Sequence, residues 1–166
     1  MKMRIMFVCH GNICRSPMAE FIMKKLISDA GASHLISASS SATSTEEIWN
    51  GVGSPFYTPA KSELKKHGVP FSERRATLLV REDYCKYDLF IGMDNANIRN
   101  MHRIFGSDPE KKIRKLMEYC GNSGDVSDPW YSRNFDAAFR DIYKGCEALL
   151  AYLLSEYTLK QKTDAN

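Results

Sequence analysis

Val8-Cys9-His10-Gly11-Asn12-Ile13-Cys14-Arg15-Ser16-Pro17 is the stretch around which this chain is organised. The residues leading into it, Arg4-Ile5-Met6-Phe7-Val8, are apolar without alternation from Ile5 on, the pattern of a central strand covered on both faces. Past it, Pro17 stands at the first position of a helix and Gly31 just beyond its end. Ala19, Ile22, Met23, Leu26, Ile27 and Ala30 recur there at helical spacing and give an inward face. The stretch therefore reads strand, tight loop with Gly11 and Asn12, helix N-terminus. Backbone N–H groups of a loop feeding a helix point inward unpaired, and the helix dipole adds positive potential, so the loop is a candidate cradle for a phosphate-like oxyanion.

Cys9 stands at the base of that cradle. The thiolate is the nucleophilic form of cysteine, and a helix N-terminus or a nearby cation favours it. Arg15 closes the ring, with a planar fork able to grip two oxygens at once. The residues between Cys9 and Arg15 let the chain curl until sulfur, amides and guanidinium face one point. Ser16, as N-cap or as a hydrogen-bond donor to sulfur, further stabilises the thiolate. The chemistry implied is attack by sulfur on phosphorus, giving a phosphocysteine.

This loop, directly after a hydrophobic strand, resembles the signature of low-molecular-weight protein tyrosine phosphatases. Asp128-Pro129-Trp130-Tyr131 matches that family's Asp-Pro-aromatic motif, and the resemblance runs from about Arg4 to Tyr157. It implies Cys9 as nucleophile, Arg15 as phosphate binder and Asp128 as general acid and then general base. It implies further that His10, Gly11, Asn12, Ile13, Cys14 and Ser16 surround the phosphate and that Ser40 hydrogen-bonds Asn12. Trp49, Trp130 and Tyr131 are expected to wall a cleft deep enough to admit a phosphotyrosine ring and too deep for phosphoserine. The implied partners are phosphotyrosine proteins or peptides, a bacterial tyrosine kinase among them, and phosphate or other oxyanions in the loop. No cofactor, metal, nucleic acid or membrane is implied. Cys14 keeps two readings: a redox partner that protects the nucleophile by a reversible disulfide, as in relatives, or a small residue filling the loop.

The match departs at Arg74-Arg75-Ala76-Thr77-Leu78, where the family usually reads His-x-Ala-Arg-Gln. Arg74 stands where a histidine that supports the phosphate loop is common, and Thr77 where an arginine is common, so the bracing of this loop is open. Two neighbouring families share the fold and the signature. Arsenate reductases lack the Asp-Pro-aromatic acid, so Asp128-Pro129-Trp130 speaks against them. Phosphoarginine phosphatases usually carry threonine at the Ile13 position, so Ile13 favours an aryl substrate. A phosphate-binding module without catalysis leaves Cys9, Arg15 and Asp128 unexplained. A Cys9-His10 protease dyad fails because adjacent side chains in a tight loop diverge.

With 166 residues, one domain able to bury its own core is expected, spanning 1–159, followed by a polar, disordered tail over 160–166. A net charge of +3 is too small to argue for nucleic acid. No run is long enough for a membrane span, and nothing before Arg4 reads as a signal peptide, which points to the cytoplasm. Five cysteines, an odd number without a C-x-x-C spacing, argue against a zinc site or a disulfide scaffold.

Alternating strands and helices predict an α/β doubly wound domain, and the resemblance adds a four-stranded parallel sheet of order 2-1-3-4 with helices on both faces. The phosphate loop then lies at the topological switch point, where such sheets bind ligands. A second strand is expected over His34 to Ser39, then a surface loop from Ser40 to Glu47. A helix follows from Thr58-Pro59 to His67-Gly68, and a short helical turn from Arg81 to Cys85. Third and fourth strands are read at Asp88 to Met93 and Ile113 to Met117. Asp94 reads equally as a site residue or as the N-cap of a helix over Asn95 to Phe105. Tyr119 to Asn134 is a long functional loop, and a long final helix is read from the helical spacing of Phe135, Ala138, Phe139, Ile142, Tyr143, Cys146, Leu149, Leu150 and Leu153.

Overall fold

The structure is a computed structural model that describes residues 1–164. Its elements in chain order are β1 (Met3–Cys9), α1 (Arg15–Asp29), β2 (Ile36–Ala42), β3 (Ile48–Trp49), β4 (Val52–Gly53), α2 (Thr58–Lys66), a 3₁₀ turn (Arg81–Cys85) and β5 (Leu89–Gly92). There follow α3 (Asn95–Phe105), β6 (Ile113–Lys115), a second 3₁₀ turn (Leu116–Cys120), α4 (Pro129–Ser132) and α5 (Phe135–Asp164). β2, β1, β5 and β6 form one parallel sheet in that order, the 2-1-3-4 arrangement of a doubly wound α/β fold.

Successive strand side chains point to opposite faces, and in β1 both faces are apolar. Ile5, Phe7 and Cys9 enter a cluster with α1, α2 and α5, whereas Met6 and Val8 enter a second cluster with Phe90, Met101, Phe105 and Ile113. Each fully buried aliphatic or aromatic side chain contributes roughly 1.5–3 kcal/mol, so two covered faces explain the unbroken apolar run of this strand. α5 crosses the second 3₁₀ turn so closely that a Cβ on Gly145 would stand 2.5 Å from Leu116 Cγ; only glycine fits there. Among the described residues, no helix is long and apolar enough to cross a membrane.

Several boundaries differ from the sequence reading. β2 runs to Ala42, so Ser40 and Ser41 are buried strand residues and not surface loop. The register with β1, Met3↔Ile36 through Cys9↔Ala42, extends the strand; serine is small enough to lie beneath the loop, with the Ser40 hydroxyl bonded and that of Ser41 left without a partner among the described residues. The polar stretch after it holds a small hairpin, β3 with β4, turned by Asn50-Gly51 at φ 49° and 76°. The fourth strand stops at Lys115, and the segment read as loop from Tyr119 to Asn134 includes the end of a 3₁₀ turn and all of α4. At the polar tail, residues 160–164 continue α5 as exposed helix. The rest of the tail, at 165 and 166, lies outside the described residues.

Candidate active site

β1 delivers Cys9 to the floor of a cavity of about 440 Å³ at the carboxyl ends of β1 and β5. Cys9 is buried, and its Sγ accepts the Asn12 N–H at 3.3 Å. Ser16 Oγ lies 3.0 Å from the same sulfur. Asn12 has φ 58°, a left-handed conformation that asparagine tolerates better than most residues, and this turns its amide toward the sulfur.

Four hydrogen bonds hold the Asn12 side chain. Its Nδ2 donates to Ser16 Oγ at 2.8 Å and to Ser40 Oγ at 3.0 Å. Its Oδ1 accepts from Arg74 Nη2 at 2.6 Å and from the Thr77 N–H at 3.0 Å. The directions matter. Because Ser16 Oγ receives a proton from Asn12, its own hydroxyl proton is free to point at Cys9 Sγ. Beneath this, Ser40 Oγ donates to Glu20 Oε2 at 2.6 Å, and Arg74 Nη1 bonds both Glu20 and Ser40.

Arg74 thus supplies donors to three groups under the loop, which answers the question left by the missing histidine. Without Arg74, Glu20 Oε2 would lose its cation, although Lys24 Nζ still donates to Oε1 at 2.5 Å and Ser40 to Oε2, so the carboxylate stays partly paired. Arg74→Ala is expected to lower the unfolding free energy by about 2 kcal/mol in chemical denaturation, the scale of lost hydrogen bonds to a charged group. It should also reduce kcat/KM about tenfold through a loosened Asn12. Arg74→Lys should recover much of the stability and little of the rate, because one ammonium group cannot reach Glu20 and Asn12 with a fork's geometry.

Arg15 opens α1 and is buried under the opposite wall. Its Nη1 donates to the Val126 carbonyl at 2.9 Å. Its Nη2 donates to Asp94 Oδ2 at 2.8 Å and reaches Asp128 Oδ2 at 3.4 Å. Burial alone would lower the pKa of this guanidinium; Cys9, Asp128 and Asp94 outweigh burial and hold it above its ordinary value. Arg15 is therefore a fixed cation. Asp94 does both things the sequence allowed: its Oδ1 caps α3 through the Asn97 N–H at 2.8 Å while Oδ2 orients Arg15. For Cys14, burial first and then the neighbouring Cys9 push the thiol far up, with Arg15 partly opposing. It keeps its proton at neutral pH.

Asp128 N-caps α4, its Oδ1 accepting the Trp130 N–H at 3.0 Å, with Pro129 at the first helical position. Trp130 and Tyr131 line the cavity on this side, and Trp130 also packs on Tyr57 with ring centroids 5.5 Å apart. His10, Gly11, Asn12, Ile13 and Cys14 line the floor and near wall, whereas Ser16 and Ser40 lie below the loop and brace it.

Trp49 is not in the cavity wall. It pairs with Val52 across the β3–β4 hairpin, and both are exposed, Trp49 by 75%. Glu46 and Glu47, just before the hairpin, line the cavity instead. Sequence reasoning missed those two acids, and it missed Glu20. Glu20 follows Ser16 by one helical turn, so the two share a face, a spacing that would have placed its carboxylate under the loop.

The sequence model of the family described as low molecular weight phosphotyrosine protein phosphatase matches residues 4–164. Over 157 residues the chain is 34% identical to the low molecular weight protein-tyrosine-phosphatase YfkJ of Bacillus subtilis, covering 93% of this chain and 98% of that protein. Over 159 residues it is 33% identical to the phosphatase PtpA of Staphylococcus epidermidis, covering 95% and 98%. The crystal structure of YfkJ superposes with a TM-score of 0.86 at 33% identity, covering 94% of this chain and 97% of that one. A Drosophila arginine phosphatase superposes with a TM-score of 0.79 at 26% identity, covering 91% and 98%.

Proposed function

The chain belongs to the low molecular weight phosphotyrosine protein phosphatases, and from that premise we propose that it hydrolyses protein phosphotyrosine through a phosphocysteine formed on Cys9. The observation that carries this reading is convergence: Cys9 Sγ, the inward Asn12 amide, the Arg15 fork and the Asp128 carboxyl surround one cavity.

In the first step a lone pair of Cys9 Sγ attacks phosphorus, the S–P bond forms and the bond from phosphorus to the phenolic oxygen breaks. Asp128 gives its proton to that oxygen, so tyrosine leaves neutral. Arg15 and the loop amides hold the equatorial oxygens as charge spreads over them. In the second step Asp128, now a carboxylate, takes a proton from water, the water oxygen attacks phosphorus and the S–P bond breaks. Phosphate leaves, and the Cys9 thiolate and the Asp128 proton are restored. Ser16 steadies the thiolate through its hydroxyl proton.

Ile13, Trp130 and Tyr131 give the cavity apolar walls that suit an aryl ring. Tyrosine is phosphorylated by kinases that use ATP, so the proposed place of action is the cytoplasm. Steady-state hydrolysis of a phosphotyrosine peptide, the matched phosphoserine peptide and phosphoarginine tests the substrate. Phosphotyrosine is expected to lead in kcat/KM by about 10²-fold. Preference for phosphoarginine would show that Ile13 does not set the choice.

A further inference from the structure

Lys115 closes β6, and its ammonium group is buried beside the loop that carries Asp128. Only 4% of the residue is exposed. A buried ammonium is costly unless its protons find acceptors, and this one has three. Nζ donates to Asn95 Oδ1 at 3.0 Å, to the Ser123 carbonyl at 2.5 Å and to Asp125 Oδ1 at 2.9 Å. Asn95 is the first residue of α3, next to the Asp94 that orients Arg15. Ser123 and Asp125 belong to the segment between the second 3₁₀ turn and α4, which contains no helix or strand of its own.

That segment has one other tie to the site. The Val126 N–H donates to the Met93 carbonyl at 2.9 Å, and the Val126 carbonyl accepts Arg15 Nη1 at 2.9 Å. Asp128 follows two residues later. The chain's approach to Asp128 is therefore fixed twice, at Val126 by β5 and Arg15, and at Ser123 and Asp125 by Lys115. General acid catalysis needs the carboxyl within hydrogen-bond reach of the leaving oxygen, and a misplacement of about 1 Å can cost about 10²-fold.

We propose that Lys115 is a positioning residue for proton transfer: its ammonium group pins Ser123 and Asp125 to the start of α3 and so holds Asp128 where the leaving oxygen departs. The proposal rests on the reading of Asp128 as the proton donor. Lys115 touches neither substrate nor sulfur; its second route to the site, through Asn95 to Asp94 and Arg15, would slow all esters alike, so dependence on the leaving group separates that route from the one through Asp128.

The experiment measures kcat/KM for a series of aryl phosphates whose leaving phenols differ in acidity, in wild type and Lys115→Met. Methionine keeps the apolar stem and removes the ammonium group. Phenyl phosphate is expected to slow about tenfold and a dinitrophenyl phosphate no more than about twofold, because only the basic leaving group needs the proton. Alkylation of Cys9 by iodoacetate should keep its wild-type rate. In an Asp128→Asn background, Lys115→Met should cause no further loss, since the group it positions is already disabled. Equal slowing of all esters, or an added loss in the Asp128→Asn background, would overturn the proposal.

Asp125→Ala guards against a Lys115→Met chain that folds poorly. It removes one acceptor through a side chain 44% exposed and should show the same leaving-group pattern at about threefold. An unchanged pattern in Asp125→Ala beside an unfolded Lys115→Met also counts against the proposal. If Asp128→Asn alone shows no leaving-group dependence, the reading of Asp128 has failed, a result read without any Lys115 variant.

Discussion

Cys9→Ser is expected to lower kcat by at least about 10⁴-fold on every phosphate ester while leaving substrate binding within a few-fold of wild type. The loss is large because the replaced atom forms the covalent bond. Burial, the Asn12 amide and the Ser16 hydroxyl all act at the position of Sγ, yet a serine hydroxyl there keeps its proton and attacks poorly. Binding should survive because the phosphate is held by groups the substitution leaves alone, the Arg15 fork and the amides of the loop. The variant should therefore retain a phosphotyrosine peptide without releasing phosphate. Turnover by a coupled phosphate assay and peptide affinity by calorimetry read the two halves separately. Residual turnover within tenfold of wild type would mean that sulfur is not the nucleophile.

Asp128→Asn should cost about 10²–10³-fold in kcat/KM for phenyl phosphate and far less for p-nitrophenyl phosphate, the range general acid catalysis supplies. Asparagine is the informative replacement because Asp128 also N-caps α4 through Trp130 N–H. An amide oxygen makes that cap nearly as well, so α4 and the aromatic wall stay in place and only the transferable proton is removed. Alanine would lose the cap too, at roughly 1 kcal/mol, and blur the result. A plot of log kcat/KM against phenol pKa should steepen in the variant. Parallel lines for variant and wild type would end the case for Asp128 as proton donor.

How much of this was legible in the sequence depends on how local the physics is. The loop from Cys9 to Ser16 could be read because its parts are consecutive: an apolar strand, a turn with Asn12 and a helix start determine one another over a few residues. The partner acid and the strand order came from resemblance and not from pattern, because nothing in periodicity ties Asp128 to Cys9 across the intervening chain. Polarity is a poor guide to exposure at Ser40 and Ser41: the Ser40 hydroxyl is buried among Asn12 in the loop, Glu20 on α1 and Arg74, and the Ser41 hydroxyl is buried without a hydrogen-bond partner among the described residues. Arg74 looked like a loss when aligned with histidine, and the compensating carboxylate, Glu20, lies far away in sequence. For Trp49 chemical type suggests a cleft wall, whereas the hairpin that pairs it with Val52 leaves it exposed.

β1 has its neighbours on both sides and both faces covered, so no small fluctuation can free it. Amides in such a strand are expected to exchange with solvent only when the whole domain opens, whereas a segment with few backbone bonds depends on its side-chain anchors to stay closed. Cys9 ends the former kind of segment and Asp128 the latter. The attacking atom is thus held by backbone pairing shared along a whole strand, and the proton by a few side-chain anchors, so one substitution at an anchor can loosen the acid and leave the strand under the sulfur intact.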